Sequence, residues 1–241
     1  MQVIRVKNYE EASDKAFEIF KEYLKPGKVL GLATGSTPLG LYERMIKDHK
    51  ENGTDYSNIH TFNLDEYVGL PKQHRESYYS FMHTNLFNGI EIPEENTHVP
   101  SGLGDMNKNC EDYEAMLSKE SVDIQLLGIG ADGHIGFNEP GTSFDSLTHV
   151  VELTEQTRSD NYRFFKDLNE EVPTHAITMG PKTIMRAKNI LLIATGANKA
   201  EAVKGMIEGP IDEMCDASIL QNHPSCIVII DEAAGTLLEE K

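Results

Sequence analysis

Tryptophan is absent from this chain, and positive charge is scarce: 22 lysines and arginines stand against 39 aspartates and glutamates, a formal net charge of −17. Such a surface repels nucleic-acid phosphates and anionic membranes, so neither is an expected partner. An anionic ligand would have to be held by local features working against the overall field. Cysteine is also sparse. Cys110, Cys215 and Cys226 are odd in number and form no C-x-x-C pair, which argues against a disulfide scaffold and for free thiols in a reducing compartment. No run approaches the roughly 20 apolar residues of a membrane span, and the N-terminus lacks the apolar core of a signal peptide. A cytoplasmic location is expected. Repeats, low-complexity tracts and linker-like stretches are missing too, so the chain is read as one domain, 1–241.

What is present is an alternation of apolar runs and glycine-containing turns. Runs at 3–6, 29–33, 59–64, 122–129, 176–179, 189–195 and 225–230 read as strands. Amphipathic stretches at 9–24, 38–52, 75–87, 107–119 and 154–168 read as helices between them. The 122–129 run is apolar on both faces, as in a buried parallel sheet. The expected fold class is α/β, with an open, mostly parallel sheet.

The densest chemistry follows the 122–129 strand. Gly128, Gly130 and Gly133 permit a sharp turn with exposed backbone, and Asp132, His134 and Glu139 fall within eight residues of one another, with Asn138 beside them. In open α/β sheets ligands bind beyond the carboxyl ends of the strands. The spacing also matches G-x-G-x-x-G, but a dinucleotide site needs a helix directly after the glycines, and His-Ile-Gly-Phe-Asn-Glu-Pro-Gly resists one. Asp132, His134 and Glu139 could instead offer N and O ligands to a metal, or the stretch could be a turn with a surface histidine. Acid–base chemistry is the preferred reading, because a carboxylate can orient an imidazole and stabilise its charged form.

Three further junctions lie at strand ends. Thr34-Gly35-Ser36-Thr37-Pro38 joins a strand to a helix, with Thr37 the expected N-cap and Pro38 the first helical residue. Hydroxyls, backbone N–H groups and a helix N-terminus would converge there as in a phosphate site, although no Walker lysine is present. Asp65 and Glu66 directly follow the 59–64 strand, and one of these carboxylates could abstract a proton from carbon. Lys199, in the first turn of a helix after Gly196, is opposed by the helix dipole unless an anion sits beside it. Arg158 or Arg163, on the 154–168 helix, could close over the same anion.

Together these motifs resemble the glucosamine-6-phosphate deaminase family. The resemblance rests on residues 31–38, 61–71, 76–82, 130–140 and 196–199, spread over most of the chain in the family's order. It implies a Rossmann-like sheet with helices on both faces, shared with phosphogluconolactonases and ribose-5-phosphate isomerase relatives. It also implies conversion of glucosamine 6-phosphate to fructose 6-phosphate and ammonia, in the hydrolase class, without cofactor or metal. By the same resemblance Asp65 moves the proton between C2 and C1, and His134 opens the sugar ring with Asp132 and Glu139 orienting it. Thr34, Gly35, Ser36 and Thr37 hold the phosphate with Arg163 and Lys199, and Glu66 has no assigned step. Longer members are hexamers activated by N-acetylglucosamine 6-phosphate through basic residues after the E-P turn and a C-terminal extension. Here 144–152 contains no lysine or arginine and the chain stops soon after its last strand, so that control is expected to be lacking, with the assembly left open between monomer and homo-oligomer. The rivals are a 6-phosphogluconolactonase and a non-catalytic sugar-phosphate sensor. The N-L-D-E-Y and F-N-E-P segments favour the deaminase, and no basic DNA-binding segment favours the sensor.

Overall fold

Val29–Leu32 and Ile124–Leu127 are buried at every position, and strands with no solvated face belong inside a sheet covered on both sides. The structure is a computed structural model describing residues 1–239; Glu240 and Lys241 lie outside the described residues. In chain order the elements are β1 (Gln2–Val6), α1 (Tyr9–Phe20), β2 (Val29–Leu32), α2 (Leu39–Asn52), β3 (His60–Asn63), β4 (Asp65–Tyr67), α3 (Tyr78–Met82), α4 (Asn88–Ile90), β5 (Thr97–His98), α5 (Met106–Lys119), β6 (Ile124–Leu127), β7 (His149–Glu152), α6 (Glu155–Phe165), β8 (His175–Thr178), α7 (Pro181–Ile184), β9 (Ile190–Ala194), α8 (Ala200–Glu208) and β10 (Cys226–Asp231).

Seven strands form one parallel sheet in the order β1-β10-β9-β6-β2-β3-β5, flanked by helices. The chain moves outward from β2 through β3 to β5, then returns to the other side of β2 with β6. The order therefore reverses between β2 and β6, and the loops leaving those two strands border the crevice where such sheets bind ligands. Leu30, Leu127, Leu191, Leu192, Val228 and Ile229 are wholly inaccessible in this sheet, each worth roughly 1.5–3 kcal/mol of burial.

Two local expectations are corrected. Thr37 does not cap α2: Pro38 occupies the N-cap without a side-chain bond, and the Tyr9 hydroxyl accepts the Gly40 N–H at 2.8 Å. The expected helix over 75–87 starts later, at Ser77, whose hydroxyl accepts the Ser80 N–H at 3.1 Å, and it passes through a π turn at His83–Phe87 into α4. Ser77 captures a free N–H more readily as a cap than within a helix.

A second, antiparallel sheet, β4-β8-β7, was not anticipated. Asp65 and Glu66 lie in its first strand, with Asp65 opposite Thr178. A small second core of Tyr67, Phe137, Leu153, Phe165, Val172 and Ala176 packs around it. Asn161 of α6 donates to the Tyr67 hydroxyl at 3.0 Å, and Phe165 meets the Tyr67 ring edge-on with centroids 5.6 Å apart. These contacts fix α6 over the rim of the main sheet.

Candidate active site

After β6 the chain turns through Gly128 and Gly130, and His134 lays its imidazole over Gly130. A Cβ there would lie 2.3 Å from the ring Cε1, so only glycine leaves the ring its place. Asp132 folds back onto the same residue: its Oδ1 accepts the His134 backbone N–H at 3.1 Å and lies 2.7 Å from the ring Nδ1. Burial alone would raise the Asp132 carboxyl, but the His134 ring and backbone outweigh it and hold it below its ordinary range. Glu139 Oε2 lies 3.9 Å from the same Nδ1. Its Oε1 accepts the Thr154 N–H at 3.2 Å and hydroxyl at 3.4 Å, and Thr154 is the N-cap of α6. One buried carboxylate thus joins the histidine turn to that helix. With Nδ1 facing carboxylates, Nε2 is the nitrogen left to meet a substrate. No helix follows the glycines before α6, so the dinucleotide fingerprint lacks its structural counterpart.

Asp65 is 7 % exposed and its carboxyl makes no hydrogen bond among the described residues. Burial, and then the adjacent Glu66 carboxylate, push it up to about 8. Its Oδ2 lies 3.8 Å from the point a Cβ on Gly136 would occupy, so it faces the turn that carries His134. Thr178 secures this junction, its Oγ1 accepting the Phe137 N–H at 3.1 Å. Glu66 accepts N–H groups from Tyr67, Tyr78 and Tyr79 at 2.8, 2.9 and 3.0 Å. Burial pushes it up to about 7 despite those bonds.

The loop leaving β2 abuts this turn, with Thr37 Oγ1 3.8 Å from the Cβ position of Gly128. The N–H groups of Thr34, Gly35, Ser36 and Thr37 have no backbone partner among the described residues, and Gly35 takes the left-handed conformation at φ +88°. Such an array of unpaired donors suits an anion. Lys199 sits on the turn before α8, which Asp231 braces by accepting the Gly196 N–H at 3.0 and 3.1 Å. Burial pulls the Lys199 ammonium below its ordinary value; Asp160 resists, and the neighbouring Arg163 adds to the fall. Arg163 itself lies over the Phe164 ring at 4.7 Å. Arg158 is engaged elsewhere, donating through Nε and Nη2 to the Val172 carbonyl at 3.3 and 3.2 Å. The β2 loop, Asp65, Asp132, His134, Glu139, Arg163 and Lys199 therefore come to one rim.

Sequence reasoning missed Thr178, which no local pattern distinguishes. It also missed Tyr78, whose phenol faces Thr34 and whose ring stacks on Phe137 with centroids 5.9 Å apart. Asp132, His134 and Glu139 each present a ligand atom, all within 4.8 Å of one another, a nitrogen-and-oxygen set able to hold a divalent cation.

Known proteins resemble this chain along its length. A glucosamine-6-phosphate deaminase from Thermoanaerobacter pseudethanolicus is 51% identical over 245 aligned residues, taking in 100% of this chain and 96% of that one. A solved structure of a monomeric glucosamine-6-phosphate deaminase superposes with a TM-score of 0.95 at 45% identity, covering 99% of this chain and 100% of that one. A 6-phosphogluconolactonase from Leishmania guyanensis reaches 0.79 at 21% identity over 99% of each chain, a likeness of fold alone. The model for glucosamine-6-phosphate isomerases and 6-phosphogluconolactonases matches residues 10–229, and the chain belongs to that family.

Proposed function

We propose that this protein converts glucosamine 6-phosphate to fructose 6-phosphate and ammonia, with Asp65 as the carbon base and His134 as the ring-opening group. The observation that carries this reading is Asp65, a buried carboxyl that makes no hydrogen bond among the described residues and faces the turn holding His134. Relatives bearing the deaminase name at about half identity along the whole chain support it.

The phosphate lies against Thr34, Gly35, Ser36 and Thr37, with Lys199 and Arg163 supplying charge. His134 Nε2 delivers a proton to the ring oxygen while Asp132 and Glu139 stabilise the imidazolium from Nδ1. The C1–O bond of the ring breaks as the C1 hydroxyl gives up its own proton, C1 becomes a carbonyl, and that carbonyl acidifies the proton on C2. Asp65 takes that proton and returns it to C1, while O1 gains a proton and the nitrogen gives one up, leaving a C1 hydroxyl and a C2 imine. Water adds at C2 and ammonia departs, giving the ketose. Hydrolysis is only this last step, so the hydrolase class expected above describes the reaction imprecisely. The scheme needs neither metal nor cofactor.

The setting that fits is amino-sugar catabolism, including N-acetylglucosamine degradation, carried out in the cytoplasm by one domain, 1–241. Three free cysteines suit that compartment. No helix among the described residues is long and apolar enough to cross a membrane. Allosteric activation is lacking in this reading because 144–152 has no lysine or arginine.

Ammonia release from glucosamine 6-phosphate after dialysis against a chelator tests the assignment. Turnover should survive chelation, with a hyperbolic rate curve unmoved by N-acetylglucosamine 6-phosphate. Hydrolysis of 6-phosphogluconolactone without ammonia release would make the protein a lactonase, and binding without either reaction a sensor.

A further inference from the structure

One buried carboxyl is left unused by this scheme. Asp216 is 1 % exposed, and neither of its oxygens has a side-chain partner among the described residues. It opens the short helical turn Asp216–Asn222, directly behind the turn that bears His134. The backbone N–H of Ile135 faces its carboxyl. The N–H of the next residue, Ala217, donates to the Gly133 carbonyl at 2.9 Å. The preceding residue, Cys215, packs so closely on Gly133 (φ +90°) that a Cβ there would lie 2.7 Å from its Sγ.

The same strap grips the far end of the catalytic loop. The Glu213 carbonyl accepts the Gly141 N–H at 2.8 Å, and its Oε1 accepts the Phe144 N–H at 2.9 Å. The strap is braced in turn: the Cys215 N–H donates to the Asp212 carbonyl at 2.9 Å, and the Ser218 hydroxyl accepts the Asp212 N–H at 2.9 Å. Five contacts therefore hold residues 133, 135, 141 and 144 from one short segment.

A buried carboxyl with no side-chain partner among the described residues costs stability, and burial pushes Asp216 up to about 8. Local rules are broken in this way where position matters more than stability. We propose that the 212–217 strap, through Asp216 and Glu213, positions the 133–144 loop and so fixes where His134 and Glu139 stand against the sugar ring. The proposal rests on the assignment of ring opening to His134. Among the described residues no hydrogen bond runs from the strap to the 34–37 loop, so phosphate capture should be independent of it.

The test compares wild type, Asp216→Ala, Asp216→Asn and Glu213→Ala. It measures kcat and KM for glucosamine 6-phosphate, the thermal midpoint, and binding of 1,5-anhydroglucitol 6-phosphate, which carries the phosphate but cannot open. Asp216→Ala should lower kcat by about 10-fold or more, since a misplacement of an ångström can cost up to about 100-fold, while analogue binding changes less than about twofold. Asp216→Asn, uncharged and still able to accept the Ile135 N–H, should recover most of the rate. Glu213→Ala, at an exposed position, should lower kcat by about threefold, and it decides the matter alone if Asp216→Ala does not fold. An unchanged kcat in either folded alanine variant overturns the proposal. So does a fall in kcat matched by equal loss of analogue binding, which would mean general loosening. A wild type that binds the analogue but releases no ammonia overturns the functional reading itself, and the strap proposal falls with it.

Discussion

Asp123 and Asp65 are buried to nearly the same degree, at 5 % and 7 % exposure, yet their surroundings are opposite. Asp123 precedes β6, at the end of the sheet away from the rim. Its Oδ2 accepts the Val29 N–H at 2.9 Å, and its Oδ1 lies 2.9 Å from Lys188 Nζ and 3.4 Å from Lys28 Nζ. Burial alone would raise it, but these partners prevail and hold it below its ordinary range. Lys28, Asp123 and Lys188 lead into β2, β6 and β9, three neighbours at the centre of the sheet, so this end is stitched by satisfied charge. Asp65, at the rim, has a second carboxylate beside it and, among the described residues, no paired cation, and is pushed up to about 8. The lysines repeat the contrast, since Lys28 and Lys188 are paired while Lys199, near both Asp160 and Arg163, makes no salt bridge among the described residues. One end of the sheet holds the strands together; the other keeps charge available for a ligand.

The sharpest way to break this comparison is Asp65→Asn. Loss of a carbon base should cut ammonia release by about 10³-fold, whereas a rim that merely tolerated a buried acid would lose little. Stability should move the other way. An unfolded aspartate titrates near ~3.9 and the folded one at about 8. Between those values the folded state keeps a proton that the unfolded state has lost. The stability that Asp65 contributes is thus whole below the unfolded value and drains away as pH rises through the folded one. Asn carries no such penalty. The variant should melt roughly 2–4 °C higher than wild type at pH 8, for each kcal/mol relieved, and the gain should vanish toward pH 4. A variant that is less stable at pH 8 would place Asp65 with Asp123 as a structural acid.

Lys199→Ala probes the cationic half of the same contrast. A half-buried ammonium binding a phosphate is worth about 1.5–3 kcal/mol, so KM for glucosamine 6-phosphate should rise on the order of 10- to 100-fold with kcat changed far less. A fall in kcat at constant KM would take Lys199 out of phosphate binding and move it into the chemistry.

The two ends also differ in how far the sequence could announce them. Val29–Leu32 and Ile190–Ala194 are buried throughout, so their apolar runs declare parallel strands without further context. Asp132, His134 and Glu139 lie on one turn, and their proximity follows from spacing alone. The small second sheet was illegible because β4 is Asp-Glu-Tyr, three residues that become a strand only by pairing with Thr178, Ile177 and Ala176, more than a hundred positions away. For the same reason the acid pair at 65–66 could not be told from a solvated turn. The backbone donors to Glu66 from Tyr78 and Tyr79, and the strap behind His134, are likewise made by tertiary packing. Thr37 was misjudged because Tyr9, on another helix, had already taken the donor a cap would serve.

The smallest expected effect is at the stitched end. Asp123→Asn keeps an acceptor for Val29 but removes the charge that Lys28 and Lys188 share. Those lysine side chains are 39% and 55% exposed, so water would screen much of the loss. About 1–2 kcal/mol is expected, in keeping with hydrogen bonds to a charged group, or a melting point lower by roughly 2–8 °C near neutral pH. The sign with pH reverses that of Asp65. A carboxyl held below its ordinary value stabilises above the unfolded value and loses that contribution as pH falls through the folded one, so the deficit of the variant should close in acid. Activity should stay within about twofold, because the nearest part of the reaction lies the length of β6 away, about four residues at ~3.3 Å each. Should Asp123→Asn instead impair turnover while melting normally, the amino ends of the strands would be transmitting to the site, and the separation between a stitched end and a working end would not hold for this sheet.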